Sequence, residues 1–268
     1  MILRRLGNKN KVSKLILPHF PKHRTYISLF FGAGGMYFNK PLAANNFLND
    51  NDENVYNLFE VVKTKKDELV NCFIDLPLHE SIFNQWKISE EIDPIWKAVR
   101  FIMLSNASYM GKSDTFHHRT NNNPKKSFES KIQATFEMIK NARFMCCDFR
   151  EVLGKIAFES GKDKLRDMEQ TFIYADPPYL GQTHNYKTGF KKNDTIDLFE
   201  LLSGCGMKFA ISEFKNKLIV DLADQLGLQV IPLNGRQSLK NRRTEILITN
   251  YRNTQMSLFE LDELGISQ

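Results

Sequence analysis

The chain has 268 residues, of which 42% are hydrophobic and 25% are charged. These proportions are ordinary for one large globular domain, or one domain with an insertion, and they exclude intrinsic disorder and a collagen-like fibre. Lys and Arg number 37 against 31 Asp and Glu, which gives a formal net charge of +6. A basic chain favours a polyanionic partner such as nucleic acid, and an ordinary solvated surface is the alternative.

The charge is uneven, because segments 1–24 and 232–244 contain seven and four basic residues, respectively, and no acid. No run of about 18 uncharged apolar residues occurs, so we expect no membrane-spanning helix. The basic start of the chain lacks the apolar core of a secretion signal, which predicts an intracellular, cytoplasmic protein. The cysteines and histidines match no disulfide framework or metal-binding pattern, and we expect no metal.

Strand and helix patterns alternate along most of the chain. In chain order the predicted elements are a strand at 25–31, a strand at 46–48, a helix at about 53–65 that Asp52 caps, a helix from Asp93–Pro94 to about 106, a loop or hairpin at 108–127, a helix with capping-box spacing at Ser130–Gln133, strands at 143–147 and 171–175, a helix near 195–202, a strand at 207–212, a helix at 214–226, and strands at 228–232 and 244–250. This alternation predicts an α/β fold in which helices wrap a mostly parallel sheet. Residues 66–142 break the alternation and are expected to form an inserted, mainly helical lobe.

A glycine-rich turn, Phe30–Gly35, follows the first predicted strand. Glycines in this place let the backbone turn tightly and approach a ligand closely. A dinucleotide-binding turn needs a third glycine where this chain has Tyr37, which argues against NAD and leaves a nucleoside-type ligand. A purely structural strand-to-helix turn is the alternative.

Asp50 stands at the end of the second predicted strand, 15 residues after Gly35. A carboxylate in this place can accept hydrogen bonds from both ribose hydroxyls of a nucleoside. The alternative role, capping the next helix, suits Asp52 better. The glycine turn and Asp50 together therefore indicate a nucleoside site more strongly than either does alone.

The strongest motif is Asp176–Pro177–Pro178–Tyr179, directly after the strand TFIYA. The two prolines stiffen the loop and donate no backbone hydrogen bond. A carboxylate followed by a carbonyl that only accepts suits an exocyclic amine, which offers two N–H donors. The neighbouring aromatic ring can stack on the base that carries the amine. A rigid strand-to-helix turn is the alternative.

The chain resembles the Dam-like, α-group DNA adenine-N6 methyltransferases, which use S-adenosylmethionine. The resemblance covers about residues 3–251 and is weakest across 66–142. The segments that carry it are Arg5–Lys9, SLFFGAGGMYFN at 28–39, LNDND at 48–52, Cys147–Phe149, the tetrapeptide Asp176–Tyr179 and RRTEILITNY at 242–251.

The resemblance implies a Rossmann-like class I methyltransferase sheet wrapped by helices. It implies a catalytic domain at 1–65 and 143–253, an inserted target-recognition domain at 66–142 and an acidic tail at 254–268. The implied cofactor is S-adenosylmethionine, and its implied binding residues are Lys9, Phe31, Gly32, Ala33, Gly34, Gly35, Asp50, Asp148 and Phe149. The implied catalytic residues are Asp176, Pro177, Pro178 and Tyr179.

In the mechanism that the resemblance implies, Asp176 and the Pro177 carbonyl accept hydrogen bonds from the two N–H groups of the target amine. Tyr179 is our candidate for stacking on a base that has flipped out of the duplex.

Double-stranded DNA is the implied partner, and we expect the insertion to read its sequence. Arg pairs well with guanine and Asn with adenine in the major groove, and clustered basic residues bind phosphate. The loop at 108–131 departs from the hairpin pattern of the GATC-reading members, and a solvated polar loop is the alternative. The candidate DNA-binding residues are Lys112, Arg119, Asn121, Asn122, Lys125, Lys126, Arg236 and Arg242.

The segment Gln255–Phe259 resembles the short Gln-x-Ser-Leu-Phe peptide that docks on the bacterial sliding clamp. Gln255, Leu258 and Phe259 are the candidate contacts in a terminal segment. The alternative is an amphipathic tail that packs on its own domain.

Three other functions remain open at this stage. A cytosine-N4 methyltransferase also acts on an exocyclic amine, although such enzymes more often have Ser where this chain has Asp176. An RNA methyltransferase is the second alternative. The third is a DNA-binding protein that keeps the fold without turnover, against which the intact Asp176–Tyr179, Gly32–Gly35 and Asp50 argue.

Overall fold

A computed structural model describes residues 2–5, 8–108, 111–117, 125–158, 162–179, 190–233 and 244–252. Its strands are β1 Thr25–Ser28, β2 Asn45–Asn49, β3 Arg143–Met145, β4 Thr171–Ala175, β5 Lys208–Phe214, β6 Gln229–Pro232 and β7 Glu245–Thr249. Its α-helices are α1 Ser13–Ile16, α2 Glu53–Thr64, α3 Lys66–Asp75, α4 Glu80–Ile88, α5 Pro94–Asn106, α6 Phe128–Ile139, α7 Phe149–Val152, α8 Lys162–Glu169, α9 Lys192–Gly204 and α10 Lys217–Gln225.

The strands form one sheet in the order β3-β2-β1-β4-β5-β7-β6. β4 pairs in parallel with β1 and β5, whereas β7 pairs antiparallel with β5 and β6. The strand order reverses between β1 and β4, and open α/β sheets bind their ligands beyond the carboxyl ends of the strands at such a reversal. The predicted α/β class with a Rossmann-like sheet is confirmed. Alternating elements alone did not reveal that β7 runs antiparallel.

The register of the central strands places their carboxyl ends at one edge. Ser28 pairs with Tyr174, and Tyr174 pairs with Ala210 on the next strand. The backbone N–H of Leu29 then donates to the Tyr174 carbonyl at 3.1 Å, which extends the β1–β4 pairing. All five residues of β4 are buried, as expected for a parallel strand covered on both faces. The residue that follows β1, Leu29, therefore lies beside the carboxyl end of β4.

Two predicted helix starts are confirmed by their caps. The Asp52 carboxylate accepts a hydrogen bond from the Asn54 backbone N–H at 3.0 Å, and α2 begins at Glu53, directly after Asp52. The Asp93 carboxylate accepts from the backbone of Ile95 and Trp96, with Pro94 in the first helical position. α2 packs against α3, α5 and α6. Side-chain caps are local, and the sequence alone could show them.

Other boundaries were predicted wrongly. The first strand ends at Ser28 rather than at residue 31, because Phe31 already donates to the Asn49 carbonyl at the start of the glycine turn. The Ser130 hydroxyl bonds back to the Ser127 carbonyl at 3.0 Å inside α6, so the capping-box prediction at Ser130–Gln133 is wrong. Helix α8 was not predicted.

Contacts divide the chain into two compact units. The first unit comprises 1–9, 31–42 and 48–147, and the second comprises 10–30, 43–47 and 148–268. The predicted insertion, 66–142, lies in the first unit together with α2. Among the described residues, no helix has the length and apolar character needed to cross a membrane.

Candidate active site

The glycine turn of the first unit needs glycine for two different reasons. Gly32 has φ +55° and Gly34 has φ +72°, a left-handed backbone that other residues rarely adopt. A Cβ added to Gly34 would lie 2.3 Å from Cε2 of Phe38 and 2.8 Å from Cζ of Phe31. A Cβ added to Gly32 would meet nothing within 4 Å. The turn therefore has no room for a side chain at Gly34, whereas the space beside Gly32 is open.

Asp50 braces this turn from the end of β2. One carboxylate oxygen accepts from the Gly32 backbone N–H at 2.6 Å, and the other accepts from the Asp52 N–H at 2.9 Å. Burial raises the pKa of Asp50, while the nearby Arg5 charge and the two N–H donors act in the opposite direction. Sequence reasoning predicted that Asp50 accepts hydrogen bonds from ribose. It missed the hydrogen bonds that Asp50 accepts from the Gly32 and Asp52 backbone, because these depend on how the loops after β1 and β2 pack together.

The other residues of the first unit that we predicted to bind S-adenosylmethionine, the methyl donor, are mostly buried. Lys9 is 3% exposed and Ala33 5%. The Phe31 ring packs edge-on against Phe59, with ring centres 4.9 Å apart. Arg5 pairs with the Asp52 carboxylate at 2.9 Å. Arg5 thus contributes to the charge around Asp50, a role that sequence reasoning missed.

The tetrapeptide of the second unit directly follows the buried strand β4. Asp176 is half-buried and Pro177 is buried. Just before Asp176 on the strand, the Tyr174 hydroxyl is hydrogen-bonded to the Ser212 hydroxyl at 2.8 Å. Burial and then the Asp176 charge raise the pKa of Tyr174 well above its usual value, so the Asp176 carboxylate lies within electrostatic reach of that phenol.

Tyr179 is held at both its hydroxyl and its ring. The hydroxyl donates to Oε1 of Glu245 at 2.8 Å, and the ring centre lies 4.2 Å from that of Phe214. Burial, followed by the charges of Asp176 and Glu245, raises the pKa of Tyr179 well above its usual value. The hydroxyl therefore stays protonated. Sequence reasoning assigned Tyr179 a stacking role and missed both contacts.

Asp148 and Phe149 belong to a network centred on Arg150. The Asp148 carboxylate caps α7 by accepting from the Arg150 backbone N–H at 2.9 Å, and it also accepts from the Arg150 guanidinium at 3.1 Å. The same guanidinium binds Asp194 at 2.6 Å and Asp197 at 2.8 Å on α9. Burial acts to lower the pKa of Arg150, but the hydrogen bonds to these carboxylates together outweigh it and raise the pKa.

Aromatic rings surround Phe149. Its ring centre lies 5.5 Å from that of Phe30 and 5.9 Å from that of Phe190. The Arg150 guanidinium covers the Phe149 ring at 4.4 Å from its centre. Sequence reasoning missed Arg150, because its acidic partners on α9 lie more than 40 residues away along the chain.

The structure describes only some of the predicted DNA contacts. Lys112 and Lys126 are exposed. The Lys125 ammonium donates to the Ile74 carbonyl in the last turn of α3, so this lysine also holds the loop against that helix. The predicted contacts that lie outside the described residues are Arg119, Asn121, Asn122, Arg236 and Arg242, as well as the clamp candidates Gln255, Leu258 and Phe259.

The sheet has a Rossmann-like strand order, in which a glycine turn comes after β1 along the chain and an acidic tetrapeptide comes after β4. The chain belongs to the D12 class N6 adenine-specific DNA methyltransferases, which residues 6–239 match. Its activity is therefore the S-adenosylmethionine-dependent methylation of adenine N6 in DNA. This membership confirms the predicted family, cofactor and target base, and it favours adenine over the cytosine-N4 and RNA alternatives.

Of three relatives of this chain, two are described as type II methyltransferases and one as a modification methylase. The type II methyltransferase M.MjaIII of Methanocaldococcus jannaschii is 24% identical, over 91% of this chain and 96% of the relative. Modification methylase StsI of Streptococcus sanguinis is 26% identical over 94% of this chain, and type II methyltransferase M.FokI of Planomicrobium okeanokoites is 26% identical over 92%. The chain spans 43% of StsI and 42% of M.FokI.

Among solved structures, SMU.1697c of Streptococcus mutans in complex with SAH aligns with 90% of this chain and 97% of its own chain. The TM-score is 0.42 and the sequence identity is 8%.

Proposed function

We propose that the chain is a site-specific methyltransferase that acts on an adenine flipped out of double-stranded DNA. The observation that carries the proposal is the position of Asp176, which leaves a wholly buried strand at the edge where the strand order reverses. Inside a duplex the adenine amine is stacked and paired, so the base has to leave the helix before it can meet this carboxylate. Flipping costs a few kcal/mol, part of which stacking on Tyr179 offsets.

Asp176 and Pro177 activate the amine as paired acceptors. The nitrogen lone pair is delocalised into the adenine ring, which makes the free amine a poor nucleophile. Accepting hydrogen bonds from both N–H groups draws the nitrogen toward tetrahedral geometry and stabilises the positive charge that develops on it as the N–CH3 bond forms and the S–CH3 bond of the donor breaks. The Asp176 carboxylate can then take one of the two N–H protons and pass it to solvent, which leaves neutral N6-methyladenine. Pro177 contributes its carbonyl, and Pro178 keeps the loop stiff without adding a competing N–H donor. Positioning of the amine for in-line attack supplies the rest.

The residues of the first unit fit a nucleoside-type methyl donor. S-adenosylmethionine, when bound, supplies a methyl group activated on a sulfonium. Gly32 leaves open space at the turn, and its N–H lies 2.6 Å from the Asp50 carboxylate. Each carboxylate oxygen accepts two hydrogen bonds, so Asp50 can bind ribose hydroxyls while it braces the turn. Lys9, Phe31, Ala33, Gly34 and Gly35 complete the proposed donor site.

Asp148 and Phe149 of the second unit are proposed to receive the adenine of the donor, and Arg150 to keep them in place. Replacing Arg150 with Gln removes the guanidinium that joins Asp148 to α9 and covers Phe149. Because both residues then lose their orientation, we expect the dissociation constant for S-adenosylmethionine to rise about tenfold, as for the loss of one charge-assisted contact. Isothermal titration calorimetry measures it.

Lys155→Gln is the matched control, because Lys155 forms an exposed pair with Glu151 on the same segment. We expect its donor affinity to stay within twofold of the wild type, roughly the worth of a surface ion pair. Equal affinities for Arg150→Gln and the wild type would remove Arg150 from the donor site.

We propose that residues 66–142 form the recognition domain beside a catalytic domain at 1–65 and 143–253. Exposed Lys112 and Lys126 supply phosphate contacts, together with Lys125, Arg236 and Arg242. Arg119, Asn121 and Asn122 are of the residue types that read base edges. Nucleoid association follows from binding to chromosomal DNA. The names of the relatives support a role in restriction–modification.

The tail is proposed to dock on a sliding clamp through Gln255, Leu258 and Phe259. The support is the five-residue match in the sequence. A pulldown with purified clamp would compare the intact chain with one that ends at Thr254. Equal recovery of both chains would discard the docking proposal.

Site specificity is tested by mapping. Unmethylated genomic DNA is incubated with the protein and S-adenosylmethionine, and the modified adenines are located by sequencing. We expect one short recurring sequence around the modified adenines. Modified adenines without a common sequence would contradict site-specific recognition by the chain.

A further inference from the structure

The hydroxyl of Tyr179 has a buried acidic partner. It donates to Oε1 of Glu245, the first residue of β7, which is only 2% exposed. A base stacks on the face of an aromatic ring, and a phenylalanine would offer that face equally well. The bond to Glu245 therefore fixes something other than the stacking surface, namely the direction in which the ring points.

The two residues that hold Tyr179 are themselves paired in the sheet. Phe214 and Glu245 are directly opposed in the antiparallel pairing of β5 and β7. Side chains of directly opposed residues lie on the same face of a sheet. The Tyr179 ring thus rests on Phe214 while its hydroxyl reaches Glu245, and both contacts are fixed by the register of two strands.

Glu245 places a carboxylate at the start of a buried and otherwise apolar run of β7. β7 continues from Glu245 as Ile246, Leu247 and Ile248, all of which are buried. Burying a carboxylate is costly unless hydrogen bonds compensate it, and an apolar side chain fits a covered strand without that cost. The bond that Glu245 makes to the catalytic tetrapeptide links the residue to the reaction.

We propose that Glu245 is a positioning residue for methyl transfer, which orients Tyr179 through its hydroxyl. This inference rests on the proposed function, in which Tyr179 stacks on the flipped adenine. Glu245 touches neither the target base nor the donor in this account. Its effect on the reaction passes through the angle at which the Tyr179 ring meets the base next to Asp176.

The test is a double-mutant cycle with Tyr179→Phe, Glu245→Leu and the two combined. Each single change removes one side of the same hydrogen bond, so we expect each to lower kcat about tenfold, as for one lost hydrogen bond to a charged group. The combined change should also lower kcat about tenfold rather than a hundredfold, because the bond is already absent. KM for S-adenosylmethionine should stay within twofold.

Glu245→Gln and Thr249→Val separate positioning from stability. Gln keeps an acceptor oxygen at the same place, and it should restore at least half of the wild-type kcat. Thr249 is also buried on β7, four residues along the strand from Glu245 and opposite Ala210, and its hydroxyl donates to the Tyr251 carbonyl rather than to the tetrapeptide. Thr249→Val should keep kcat even if Tm falls as far as in Glu245→Leu.

Three results would overturn the inference. They are a wild-type kcat in Glu245→Leu, single losses that multiply in the combined variant, and a loss of kcat that follows Tm equally in Glu245→Leu and Thr249→Val. Tyr179→Ala distinguishes the underlying proposal, since it also removes the ring. Full activity of Tyr179→Ala would overturn the stacking role, and the inference with it.

Discussion

Asp176→Ala is expected to abolish methyl transfer while DNA affinity stays within a few-fold of the wild type. The change removes the carboxylate that accepts an N–H of the target amine and stabilises its developing charge. Removing one such preorganised group costs roughly 100- to 1,000-fold in turnover, and here it also leaves the lone pair delocalised. Binding to the phosphate backbone does not pass through this residue. Transfer of a labelled methyl group and a filter-binding titration measure the two effects.

Two further variants make this result specific. Asp176→Asn keeps the size of the side chain but directs N–H donors at an amine that is itself a donor, so it should be equally inactive. Asp221→Ala removes an exposed carboxylate that pairs with Lys217 on α10, and it should turn over at the wild-type rate. An Asp176→Ala rate within tenfold of the wild type would remove Asp176 from its assigned role.

Gly34→Ala is expected to damage both the fold of the first unit and donor binding. Its left-handed backbone costs a non-glycine residue about 1–2 kcal/mol. The added Cβ would also overlap the rings of Phe38 and Phe31, and overpacking of this kind costs about 1–3 kcal/mol more. Urea denaturation should therefore show a loss of roughly 2–5 kcal/mol in the free energy of unfolding. Calorimetry should show no S-adenosylmethionine binding.

Two glycine variants separate backbone strain from lost space. Gly154→Ala has open space and no left-handed backbone, so stability and donor affinity should not change. Gly32→Ala carries the backbone strain without a clash, and its methyl group would enter the space that we assign to the donor. It should lose donor affinity at a stability cost of only about 1–2 kcal/mol. A Gly34→Ala protein as stable as Gly154→Ala would contradict the packed turn.

Local sequence signals predicted those parts of the fold that local interactions determine. Asp52 and Asp93 cap their helices through backbone groups two or three residues away, so a short window contains the whole interaction. The strand TFIYA is buried throughout because both of its faces are covered, and its β-branched and aromatic residues are visible within five positions. The direction of β7 depends on its partners and could not be read from its own residues.

The candidate site divides in the same way. The glycine turn, Asp50 and the tetrapeptide are contiguous motifs, and the sequence located each of them. The partners of these motifs lie far away along the chain: Tyr179 meets Glu245 at a separation of 66 residues. Only the pairing of β5 with β7 brings that acid to the tetrapeptide. The family resemblance included the segment RRTEILITNY but assigned no role to Glu245 within it.

Nucleoside analysis of methylated DNA tests directly whether the chain methylates adenine N6 and whether it needs Asp176 to do so. Purified protein is incubated with S-adenosylmethionine and unmethylated genomic DNA, the product is digested, and methylated nucleosides are quantified by mass spectrometry. We expect N6-methyldeoxyadenosine in DNA treated with the wild-type protein and none in DNA treated with the Asp176→Ala variant. N4-methyldeoxycytidine, or N6-methyldeoxyadenosine that persists in the variant, would contradict this expectation.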